Sequence, residues 1–124
     1  MSDRHWRSFF WIAAAYNMLA GLPPLLVPAQ GGALFGLVDP APVVAVLLQM
    51  VGLLVINFGL GYAMVARNLE AARYILPLGI FGKLGVVVLI GWHFAAGTLA
   101  APALAAAFGD LLFALGFIAF LRRR

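Results

Sequence analysis

The run LGIFGKLGVVVLIGW sets one lysine, Lys83, among uncharged and mostly apolar neighbours, and FGDLLFALGF sets one aspartate, Asp110, in a similar place. Two other apolar runs each hold one asparagine, Asn17 in FFWIAAAYNMLAG and Asn57 in QMVGLLVINFGLGY. An ammonium and a carboxylate in such settings can neutralise each other. Two amides can fill the donor and acceptor positions the pair leaves over. The same groups could instead hold a proton or a small polar ligand, because ionisable residues within membrane segments mark pathways and ligand sites.

Other chemistries lack their parts. GIFGKL resembles a phosphate-binding loop only superficially: Leu84 follows the lysine where Ser or Thr is needed, the glycine spacing is short, and no strand precedes it. There is no cysteine, which removes disulfides, thiolate metal sites and thiol nucleophiles. The two histidines, His5 and His93, belong to opposite ends of the apolar spans, so they cannot share a metal or a haem. Asp110 has no second carboxylate for acid–base hydrolysis, and Ser8 stands only at the edge of a span. No metal or cofactor is expected, and no enzyme class is assigned.

The elements that must position these groups are membrane helices. Hydrophobic residues make up 65% of the 124 and charged residues 10%, where a soluble domain carries about 25% charged residues. Mean hydropathy is +1.07. Four stretches, at about 9–27, 43–66, 74–96 and 99–121, each approach the roughly 20 residues that cross a bilayer. Backbone groups in hydrocarbon must be satisfied within their own segment, so the expected fold is all-α. The first stretch follows a basic start, but it is long, contains Asn17 and precedes three more spans. It reads as a retained helix and not as a signal peptide. Short connections make the expected architecture one domain, a four-helix transmembrane bundle of up-down topology.

All seven arginines fall on one side of this arrangement. Arg4 and Arg7 precede the first span, Arg67 and Arg73 lie between the second and third, and Arg122, Arg123 and Arg124 end the chain. The positive-inside rule then puts both termini in the cytoplasm of a multi-pass inner-membrane protein. The basic flanks suit anionic lipid headgroups. They are too scattered for a nucleic-acid groove. Expected partners are membrane lipids and either a second copy of the chain or another membrane protein.

At about 1.5 Å of rise per residue, Lys83, Asp110, Asn57 and Asn17 all fall roughly 12–16 Å inside the cytoplasmic ends of their helices, near the middle of a hydrocarbon core about 30 Å thick. A lone charge there costs at least about 2.5–3.5 kcal/mol. The expectation is therefore one inward-facing polar layer in which Asp110 neutralises Lys83. Tyr16 and Tyr62 are near enough to add hydroxyls. Gln49, eight residues before Asn57, hints at a polar track running outward. His93 reads as an interfacial side chain or as part of an outer cavity. Trp6, Trp11 and Trp92 suit interfacial anchoring.

Pro23 and Pro24 predict a kink or early unwinding at the end of the first helix. The apolar centre of the 28–42 connection, ALFGLV, reads as a segment resting on the headgroups or as a lid over an outer cavity. The many glycines within spans read as packing positions, since small residues let helices approach closely in lipid.

The residues Tyr16–Asn17 followed by GLPPLLVP, the run QMVGLLVINFGLGYAMVARN, the segment LPLGIFGKLGVV and GDLLFALGF together resemble the small four-helix inner-membrane proteins of bacteria grouped as DoxX-like and related families of unknown function. The likeness spans nearly the whole chain. Some DoxX-type proteins are associated with quinol oxidation or thiol-redox complexes. The absence of cysteine and of paired haem ligands leaves those activities without their residues here. Three roles are compatible with the polar layer: a structural or accessory membrane protein, an ion- or proton-coupled transporter working as an oligomer, and a lipid or quinone binder or enzyme.

Overall fold

The computed structural model describes residues 1–123; Arg124, the last of the terminal arginines, lies outside the described residues, as do the side chains of Leu34 and Phe35 in the apolar 28–42 connection. Helices follow one another as α1 (Asp3–Leu26), α2 (Pro28–Gly31), α3 (Pro42–Arg67), α4 (Leu76–Ala95) and α5 (Pro102–Arg122). Short 3-10 turns span Gly32–Phe35 and Arg73–Ile75, and no strand occurs among the described residues. The four long helices are each long and apolar enough to cross a membrane. The protein is thus all-α, with the four-helix transmembrane architecture its composition implies. Its chain divides into two units, Met1–Arg73 and Tyr74–Arg124, each a helical hairpin.

In the first hairpin α1 begins six residues before the apolar run does. Ser2 caps it: the Ser2 Oγ accepts from the His5 backbone N–H and lies 2.7 Å from His5 Nδ1. Side-chain oxygens at this position satisfy donors that a helix start leaves open. Hydropathy marks only the immersed part of a helix, which is why the polar first turns DRHWRS were not apparent in the apolar pattern. α1 also runs through Pro23 and Pro24 to Leu26, and does not unwind before them. The prolines stand in the last turns, and Val27 N–H still reaches Pro23 O at 2.8 Å.

Beyond Val27 the chain folds back, and α2 returns against the prolines. A Cβ on Gly31 would lie 2.6 Å from Pro24 N, so only glycine fits there. The α2 turn that opens the 28–42 connection is therefore seated on the end of its own hairpin. α1 then packs along α3 through glycine. A Cβ on Gly52 would lie 2.6 Å from Gly21 O, and one on Gly21 would lie 2.7 Å from Gly52 O. Gly59, seven residues after Gly52 and on the same face, faces Ala14, Asn17 and Met18. Trp6 is buried beside Phe9, the rings edge-on at 5.7 Å, and so belongs to the hairpin interior, not to an interfacial belt. Trp11 and Trp92 are exposed, as anchors would be.

The second hairpin turns at AAGTLA. Gly97 takes the left-handed conformation, φ 78°, that lets the chain leave the helix. Thr98 N–H reaches His93 O at 2.8 Å and Gly97 N–H reaches Phe94 O at 3.0 Å, closing the end of α4. Pro102 opens α5, where a missing N–H costs nothing. The glycines of α4 differ from those of α3. Cβ atoms on Gly82, Gly85 or Gly91 would meet nothing within 4 Å in this hairpin, so close packing of α4 on α5 does not account for these three.

Candidate functional site

Along α4 the buried positions Leu76, Gly79, Lys83 and Ile90 recur at spacings of three, four and seven. Along α5 Ala103, Ala107, Ala114 and Phe117 are buried, and Asp110 stands between them in the same rhythm. Spacings of three and four keep residues on one helix face. Both charges therefore lie on the stripe that buries each helix, and they meet: Lys83 Nζ donates to Asp110 Oδ1 at 2.6 Å. Side-chain exposure is 7% for the lysine and 15% for the aspartate.

Phe113, three residues after Asp110, is on the same side of α5, and the ammonium stands 5.5 Å from its ring centroid. The cation thus has a carboxylate oxygen at hydrogen-bond distance and the negative face of an aromatic ring nearby. No hydrogen bond besides the lysine's reaches the Asp110 carboxylate among the described residues. The expected partnership of the two charges is what the second hairpin contains.

Asn17 is the polar centre of the first hairpin. It is buried, and its Nδ2 donates to Val55 O at 3.0 Å. The α3 carbonyl can accept this second bond because an oxygen has two lone pairs. Gly59 makes the approach possible, since a Cβ there would lie 3.0 Å from Asn17 Cβ. The first asparagine thus faces inward as expected.

Within the first hairpin Asn57 points away from α1. The reason is angular. α3 meets α1 through Gly52 and Gly59, and at about 100° per residue Asn57 is rotated roughly 140–160° from both. Equal depth says nothing about which way a side chain points. Gln49 corrects the polar track as well: eight residues amount to roughly 80° of rotation, and its Nε2 donates instead to Leu25 O at 3.2 Å. That carbonyl belongs to the last turn of α1, where acceptors have no partner within the helix.

Tyr62 is buried with its ring 6.3 Å from Phe58, and Tyr16 is half-buried. His93 is exposed near the C-terminal end of α4, as an interfacial side chain would be. Sequence reasoning missed Arg7, whose guanidinium donates to Ala66 O at 3.0 Å and to Arg67 O at 2.6 Å. It closes the C-terminal end of α3 as Gln49 closes that of α1. A cation at a helix C-terminus is favourable, and the signal was present: an arginine at the start of one helix of an antiparallel pair stands opposite the end of the other.

The chemistry on offer is therefore that of a buried ion pair and of side chains that cap helix ends. Among the described residues no three His, Cys, Asp or Glu side chains gather as a metal site. No protein-family model matches the chain, and neither does any curated protein or solved structure compared with it.

Proposed function

We propose that this chain is a small multi-pass protein of the bacterial inner membrane with a structural or accessory role, both termini facing the cytoplasm. Lys83–Asp110 carries the reading. An ammonium and a carboxylate in direct contact at 2.6 Å, on the buried stripes of α4 and α5, satisfy each other and fix the rotation of the two helices. Buried ion pairs serve specificity better than stability, which suits a protein whose task is to present fixed helix faces. The orientation is supported by the arginines at both termini and in the α3–α4 connection.

One observation favours a second reading, an ion- or proton-coupled transporter acting as an oligomer. The other carboxylate oxygen of Asp110 has no bond among the described residues, and a coupling ion needs such an acceptor. Reconstitution into liposomes separates the two readings. Flux of protons and alkali cations is measured for the wild-type protein and for the Lys83→Met/Asp110→Leu double variant. The structural role predicts flux no greater than in empty liposomes for both proteins. Flux carried by the wild type and abolished in a folded double variant would overturn it.

A further inference from the structure

The two hairpins differ in what they must carry into a bilayer. The polar groups set deep in the spans of the first, Asn17 and Asn57, are uncharged amides. The second must carry a lysine. Lys83 stands seven residues after Leu76 and twelve before Ala95, the ends of α4, which is about 10 Å and 18 Å along the helix. An ammonium at that depth is costly unless something neutralises it. The neutralising group arrives late in the chain: Asp110 follows by 27 residues, on the next helix. No Lys, Arg, Asp or Glu stands between the two.

The hairpin brings them together locally. Its turn is short and closed, with Gly97 at φ 78° and Thr98 N–H on His93 O at 2.8 Å. A short connection costs little closure entropy, and the 2.6 Å contact of Lys83 Nζ with Asp110 Oδ1 is made wholly within this hairpin. Charge is distributed along it with one sense. Arg73 precedes α4, Arg122 and Arg123 end α5, and the turn at the tip carries none. Arginines hold both ends of the hairpin on one side of the membrane, so that only the uncharged tip has to cross. We propose that the Lys83–Asp110 pair is a membrane-entry device: α4 and α5 enter the bilayer as one neutral hairpin, and α4 is not stably inserted without Asp110. The device rests on the reading above, a membrane chain with both termini in the cytoplasm, and it holds whether the pair later serves structure or coupling. Entry of each helix by its own hydropathy predicts the opposite sign. Asp110→Leu makes α5 more apolar, which then favours entry. In paired entry the same change strands Lys83 and opposes it.

The test reads the position of the turn in the full chain. Thr98→Cys places a single thiol there, since the chain has no cysteine of its own. In right-side-out spheroplasts a membrane-impermeant maleimide labels that thiol from outside, and labelling after permeabilisation gives the total. With Thr98→Cys alone, nearly all of the protein is expected to be labelled from outside. Adding Asp110→Leu lowers the outside fraction by at least about threefold, because a lone charge is then left at depth. Adding Lys83→Met to that variant restores it, which shows that the substitution at Asp110 does not itself prevent folding. An outside fraction unchanged by Asp110→Leu, or one that Lys83→Met fails to restore, would overturn the proposal. Ala71→Cys, in the α3–α4 connection, reads the underlying orientation separately. Labelling of that thiol from outside would overturn the cytoplasmic placement of the termini, and the entry device with it.

Discussion

The two hairpins hold together by different means. α1 and α3 approach until backbone meets backbone, Gly21 O and Gly52 O each sitting where the other glycine's Cβ would be. α4 and α5 instead join through side chains, above all Lys83 and Asp110, while Gly82, Gly85 and Gly91 of α4 meet nothing in that hairpin. Lipid tails are as apolar as leucine, so helices in a membrane gain little by hiding apolar surface from one another. Close packing and interhelical hydrogen bonds remain. The first hairpin uses both, while the second sets an ion pair among the small buried residues Gly79, Ala103, Ala107 and Ala114.

The hydrogen bonds differ in kind as well. In the first hairpin Asn17, Arg7 and Gln49 all donate to main-chain carbonyls of the other helix. A carbonyl is present whatever residue supplies it, so only the donor has to be preserved. In the second hairpin both partners are side chains. Replacing the lysine takes from Asp110 its ammonium partner, and only a joint change removes both charges.

The strongest way to break this comparison is at the ion pair. Lys83→Met leaves the part-buried Asp110 without its ammonium, a change expected to cost up to about 3 kcal/mol, the lower end of the range for fully buried pairs. Lys83→Met/Asp110→Leu should recover most of that loss, read as the midpoint of unfolding in mixed detergent micelles. If the double variant is no more stable than the single, the second hairpin does not depend on the pairing. The next effect belongs to the first hairpin. Gly21→Ala drives a methyl to 2.7 Å from Gly52 O, with a destabilisation of about 1–3 kcal/mol from overpacking. Gly82→Ala meets nothing, and is expected to be neutral or to stabilise the helix by up to about 1 kcal/mol. Equal effects at the two glycines would erase the distinction between the hairpins. Smallest is Arg7→Gln, which removes charged donors from two terminal carbonyls at the exposed end of α3. A loss of about 1 kcal/mol is expected, together with faster amide exchange in the last turn of α3 and none in α5.

Much of the site was legible because the residues concerned had few alternatives. A lysine in a membrane span needs a counter-charge, and Asp110 is the one acid within the four apolar stretches. Asn57 looked equivalent to Asn17 because depth follows from counting residues. Direction around the helix does not follow from depth. It depends on which face the neighbour covers, and α1 covers the face of Gly52 and Gly59. The glycines teach the same lesson. Those of α3 and α4 are alike in sequence, but only contact distances separate the ones that admit a backbone from the ones that meet nothing in their own hairpin.

The number of spans and their helical kind were settled by composition and segment length alone, because a bilayer leaves a polypeptide few ways to cross it. So was the need for Lys83 to find Asp110, because a buried charge has a large and local cost. Rotation of each helix, the extension of α1 by its capped polar turns, and the capping of α3 by Arg7 emerged only from the folded chain. Those features rest on contacts whose energies are small and whose partners are distant in sequence. No single residue carries enough of that energy to announce its neighbour in advance.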